Sequence, residues 1–89
     1  MNAKKLVKDR AKTHGDFAET AFVASKLQYH STITHHAGVS PQIEHARQMI
    51  CVKLARIACG DPFVIDHWKD IAGYAELVVQ YLENSNRAS

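Results

Sequence analysis

Proline, glycine, cysteine and net charge are all scarce in this chain of 89 residues: two prolines, four glycines, two cysteines and a formal charge of +2 with the histidines neutral. Each shortage excludes something. A charge of +2 is far from the concentrated basic face that nucleic acid requires, and the basic opening stretch "MNAKKLVKDRAK" is short, so no DNA or RNA partner is expected. That stretch also lacks the apolar centre of a signal peptide, and no apolar run reaches the ~20 residues of a membrane span. A soluble, intracellular protein without membrane contact is therefore expected. Cys51 and Cys59 stand eight residues apart in what reads as one helix. That helix separates them by about 12 Å along its axis, beyond the reach of a disulfide, so both are expected as thiols. No segment alternates with period two for long enough to build a sheet.

What remains is helical periodicity with clear punctuation. Residues 3–13 form a short basic helix candidate with Leu6, Val7 and Ala11 on its apolar side, stopped by Gly15. Asp16 then offers an N-cap, and Glu19 three residues later completes a capping-box pattern. The helix over 17–30 places Phe17, Ala21, Ala24 and Leu27 on one face, widened by Phe22 and Val23. "HSTITHHAGVS" breaks the pattern and reads as a loop. Ser40-Pro41 restarts it, serine as N-cap and proline at the first helical position.

The third helix runs to Cys59 with Gly60 as its stop, and its stripe is Ile43, Ala46, Ile50, Leu54 (or Lys53) and Ile57. If that stripe is buried, Ile50→Ala or Leu54→Ala costs about 2–5 kcal/mol. "GDPFVI" is a turn, Asp66 caps a fourth helix over 67–83, and "ENSNRAS" is a frayed tail. Gly73 inside that helix costs about 1 kcal/mol against alanine, which points to a close crossing or a backbone approach there. The expected fold is one all-α domain over 1–89, with three long helices plus a short N-terminal one and ends frayed at about 1–3 and 84–89. A chain this small buries only about 60–65% of its unfolded surface, so a thin core completed by oligomerisation, as a dimer first of all, is expected.

The chemistry-bearing residues sit on the last two helices. Asp66, Asp70 and Tyr74 follow at i, i+4 spacing and share one face. The plainer reading makes Asp66 a cap and gives Asp70 a helix dipole or a lysine to pair with. The sharper one turns Asp70 inward toward a cation or a basic ligand group. Lys53 and Arg56 lie in the apolar stretch "MICVKLARIAC", where a cation must snorkel, pair or meet an anion. Pairing with Asp66 or Asp70 predicts a polar seam between the third and fourth helices. "THGDF" exposes a helix start beside His14, a weak anion signal. His30, His35 and His36 cluster in sequence, but no C-x-x-C accompanies them and structural zinc is not expected. Trp68 and Tyr81 read as packing or interface residues. Walker, dinucleotide and nucleophile-elbow motifs are absent.

Taken together, "THGDF", "MICVKLARIACGDP" and "DHWKDIAGYAEL" resemble small phage and prophage proteins of unassigned function. Those carry H/Y-G-D near the start, then K-x-A-R and D-x-W-x-D-I-A-G-Y-A. The likeness covers roughly residues 10 to 82. That group in turn resembles, at a distance, the all-α MazG-like nucleoside triphosphate pyrophosphatases, bundles that dimerise or tetramerise and hold Mg²⁺ with E-E-x-x-E on one helix and E-x-x-D on the next.

In "EHARQ" Glu44 matches the first motif while His45 and Gln48 do not. In "HWKD" Asp70 matches the second and His67 replaces the glutamate. Losing two of four carboxylates weakens Mg²⁺ binding, since that ion demands hard oxygen ligands. Two functions follow as expectations. The first is a non-catalytic phage-type interaction protein that binds a host or defence protein in the bacterial cytoplasm, with no cofactor. The second is a MazG-like nucleotide binder, either a weak Mg²⁺-dependent pyrophosphatase or a sequestering protein. There Lys53 and Arg56 meet phosphate, Glu44 and Asp70 a cation, and Tyr74 or Trp68 a base. The second requires Lys53, Arg56, Glu44, Asp66 and Asp70 to converge on one pocket.

Overall fold

The computed structural model describes residues 2–88, with side chains through Ser85. Four helices follow in order: α1 (Ala3–His14), α2 (Phe17–His30), α3 (Pro41–Cys59) and α4 (Ile65–Ala88), with no strand among the described residues. The caps are those the sequence offers. Asn2 accepts from the Lys5 N–H, Asp16 from Glu19 and Ser40 from Ile43, each satisfying a donor that has no partner inside its helix. Pro41 opens α3 where its missing N–H costs nothing. Ser31 closes α2, and its hydroxyl donates to the Leu27 carbonyl at 2.7 Å.

α3 is the hub. α2 packs along one side of it and α4 along another, while α2 and α4 do not pack together; α1 lies along α2 and α3 and meets α4 only through side chains at its end. The result is an open bundle, a layer of helices that never closes around a common core. Its buried apolar residues are accordingly small: Ala24, Ala46, Cys51 and Ala55, with no large side chain fully buried among the described residues. Small side chains at such contacts let helix axes approach closely.

Several expectations change in the three-dimensional arrangement. Phe17 is 81% exposed and Phe22 62%, because α2 turns Ala24 toward α3 and carries Phe22 on its far side. Leu54 is also exposed, at 38%, since Ala46, Cys51 and Ala55 fill the contacts of α3 instead. Asp66 is not the N-cap: α4 begins at Ile65, two residues before the expected start at 67, with the His67 N–H already bonding the Val64 carbonyl. The helix then runs on through residues 84–88, where the sequence suggests a frayed tail, while fraying at Met1 and Ser89 lies outside the described residues. Gly73 marks no crossing, for a Cβ there would meet nothing within 4 Å. α1 is only two residues shorter than α2, so "short" describes it loosely. Cys51 and Cys59 are both free thiols.

Candidate functional site

Two backbones come into close contact where the α1–α2 turn meets the end of α3. Gly15 has φ +83°, a left-handed conformation that side chains strain. A Cβ there would lie 2.5 Å from the Cys59 carbonyl oxygen, and one on Gly60 would lie 2.4 Å from the Thr13 carbonyl oxygen. Two backbones thus touch where the sequence writes "HGD" and "CGD". The Thr13 carbonyl, freed by the end of α1, accepts from the Asp61 N–H at 3.2 Å and from His67 Nε2 at 3.0 Å. A carbonyl can only accept, so His67 carries its proton on Nε2. His67 is 3% exposed and anchors the start of α4 to the end of α1 across the end of α3.

Beside this joint the rings of His14 and His67 meet edge to face at 5.1 Å, and His14 Nδ1 shares a 2.6 Å hydrogen bond with the Thr13 hydroxyl. Burial pushes the His14 pKa below its usual 6.5, and the charges of Arg56, His67, Arg10 and Lys53 push it the same way. His14 and Arg56, with Arg10, edge a cleft of about 760 Å³ between α1, α2 and α3, whose body is formed by apolar side chains such as Val7, Ala11 and Val52. No carboxylate bridges Arg10 or Arg56 among the described residues.

The polar seam between α3 and α4 is real. Lys53 Nζ donates to Asp70 Oδ2 at 2.8 Å, with the lysine side chain 12% exposed and the aspartate 47%. The Lys53 hydrogen bond holds the Asp70 carboxyl below its ordinary range. Asp70 and Tyr74 share the wall of a smaller hollow of about 500 Å³ that includes Gly73, and the Tyr74 ring lies 6.1 Å from that of His45. Asp66 is exposed at the start of α4 and lines neither hollow.

Glu44 is elsewhere. It is nine residues before Lys53, about 13 Å along α3, and its carboxylate bonds Arg47 and Gln48. That bond to Arg47 lowers the Glu44 pKa and raises that of Arg47. The expected cation pair of Glu44 and Asp70 is therefore not brought together, each acid being engaged with a different base. No group of three or more His, Cys, Asp or Glu side chains stands together as a metal site among the described residues. The chain's own donors do not fit the Mg²⁺ that the MazG resemblance implies, and no hydrolytic step is derived through it.

Two residues went unnoticed in the sequence. Arg47 Nη1 donates to the Gln28 carbonyl at 2.9 Å and to Ser31 Oγ at 2.7 Å, closing the carboxyl end of α2 against α3. Arg10 borders the cleft from α1. The only signal for either was its helical position, which does not name a partner helix. No helix among the described residues is long and apolar enough to cross a membrane.

The family model described as "Domain of unknown function (DUF6378)" matches residues 1–82, so the chain belongs to that family. No curated protein and no solved structure matches it significantly.

Proposed function

We propose that this DUF6378 protein is a non-catalytic helical interaction protein of the phage or prophage type. In this reading it works in the bacterial cytoplasm as a homodimer and binds a host or defence protein. One observation carries the interaction reading. The chain exposes 6691 Å², against about 5,200 Å² for a compact monomer of its mass. Its radius of gyration is 15.5 Å, against about 12 Å for a compact domain of this length. The excess surface, on the order of 1,500 Å² for each chain, falls in the range that obligate homodimers cover. It is also the wrong kind of surface to leave wet: Trp68, Phe63, Leu77 and Val79 are among the large apolar side chains more than 40% exposed. Light scattering across a concentration series tests this. The expected mass is twice the 9.9 kDa of the chain, with a melting temperature that rises with concentration. A stable 9.9 kDa particle at millimolar concentration overturns the reading.

A second reading, nucleotide binding, is favoured by the cleft edged with Arg10, His14 and Arg56, whose volume of about 760 Å³ suits a small ligand. Because Glu44 and Asp70 stand apart, binding here is expected to be independent of Mg²⁺. Nucleoside triphosphates at millimolar concentration should raise the melting temperature equally with and without Mg²⁺, and Arg56→Glu should abolish the rise. A rise that appears only with Mg²⁺ refutes this form of the idea.

A further inference from the structure

α3 has four sides, and three of them are accounted for. Toward α2 it sends Arg47, bonded to Gln28 and Ser31, and Cys51, 3.4 Å from the Ser31 hydroxyl. Toward α4 it sends Lys53, paired with Asp70, and His45, beside Tyr74. Toward the cleft under α1 it sends Val52 and Arg56. The fourth side carries Ile43, Ile50, Leu54 and Ile57, at spacings of seven, four and three that keep them in one row on a helix of 3.6 residues per turn, with the buried Ala46 on the edge of the row nearer Lys53. None of the four lines the cleft under α1. Every charged side chain of α3 (Glu44, Arg47, Lys53, Arg56) is bonded or directed elsewhere, so this row is unbroken by charge. It spans about 21 Å. Ile43, Ile50 and Ile57 are half-buried, flanked by α2 and α4, and Leu54 is exposed.

We infer that a second copy of the chain packs on this row, α3 against α3 in antiparallel register, so that two open layers of helices close into one shared core. The inference rests on the dimer reading above and adds the surface to it. A repeat of seven between Ile43, Ile50 and Ile57 is the spacing by which two helices mesh at a shallow angle. A two-fold contact of identical rows places the axis near the midpoint, Ile50, and sets Leu54 against the partner's α3. A second copy is the fitting occupant because it meets the row with an equally uncharged row, and because the chain as a whole exposes more surface than a compact monomer of its mass.

The test is Leu54→Glu beside Val7→Glu, a change on α1, at the opposite side of α3. Leu54 is 38% exposed in the single chain, so glutamate finds room there when the chain is alone. Sedimentation should show the dimer of Leu54→Glu weakened about 100-fold or more, as expected when an apolar anchor at the centre of an interface is replaced in both copies, and that of Val7→Glu unchanged. If Leu54→Glu loses its helical circular dichroism, Ile50→Cys in a Cys59→Ser background decides: mild oxidation should link it into a disulfide dimer, while Cys59→Ser alone, with Cys51 buried, stays unlinked. A wild-type dimer that survives Leu54→Glu intact, or an Ile50→Cys chain that does not cross-link, overturns the placement and leaves the dimer reading standing. A wild type that is monomeric at millimolar concentration overturns both.

Discussion

The joint around Gly15, Gly60 and His67 and the uncovered side of α3 obey opposite rules. At the joint, backbones touch, the Thr13 carbonyl receives two donors, and no buried side-chain polar atom among the described residues lacks a partner. Nothing there waits for another molecule. On the open side the contacts are apolar, half-made and unbounded by charge. An 89-residue chain can make a good local joint from backbone hydrogen bonds, which need only a few residues in register. It cannot enclose large side chains, which needs area on every side. The joint thus fixes how α1, α3 and α4 meet, and the open side leaves the rest of the stability to association.

The strongest way to break this contrast is to place a methyl group in the joint. Gly60→Ala would put its Cβ 2.4 Å from the Thr13 carbonyl oxygen and 2.7 Å from the Gly15 nitrogen, all backbone atoms that cannot swing aside. The chain must separate α1 from α3 or lose the helix end, at a cost on the order of 3–5 kcal/mol, most of what so small a domain has to spare. Chemical denaturation of Gly60→Ala beside Gly73→Ala measures it. Gly73 faces open space inside a helix, so alanine there should stabilise by up to about 1 kcal/mol.

Next comes His67→Phe, which keeps the ring and removes its donor. The Thr13 carbonyl keeps the Asp61 N–H but loses the His67 bond, and the expected loss is about 1–3 kcal/mol at neutral pH. An unchanged urea midpoint would show that ring packing alone holds α4 to α1.

Leu54→Ala sharpens the other half of the comparison. For the single chain, with Leu54 exposed, the loss should stay below about 1 kcal/mol. Covered by a second copy, it should approach the roughly 2–5 kcal/mol of a buried leucine and grow with protein concentration.

How much of this was written in the residues follows the same division. Caps are local, so Asp16, Ser40-Pro41 and Gly60 marked three helix ends where they stand. The Lys53–Asp70 seam was legible because a lysine inside an apolar stretch must find an anion, and the neighbouring helix offered one. The joint was not: a carbonyl carries no side chain, and Thr13 gives no sign of receiving His67 from 54 residues away. The orientation of α2 is not legible in the sequence for a related reason. Phe17 and Phe22 look like core by their size, yet an open layer packs through alanine and leaves them outside.

Acid separates the joint from the seam by smaller amounts. His14 has its pKa depressed in the folded chain, so below 6.5 the unfolded chain takes up its proton more readily than the folded one. Stability present above 6.5 is therefore lost as the pH falls from 6.5 through the lowered folded value. His14→Gln should flatten that part of a melting-temperature profile. Asp70, depressed by its bond to Lys53, contributes stability present above its ordinary 3.8 and lost only as the pH falls through its own lower value. The two groups titrate in different windows, which makes them separable in one experiment. Asp70→Asn should leave the slope below pH 6.5 that His14 sets untouched and remove only part of the loss below 3.8. Because the aspartate is half exposed, this is the smallest effect of the set, and salt at about 1 M should shrink it further. A change from Asp70→Asn in the slope that His14 sets below pH 6.5 would mean that seam and joint titrate as one unit, and that the His14–His67 contact extends its influence through α3 to the far side of the lysine.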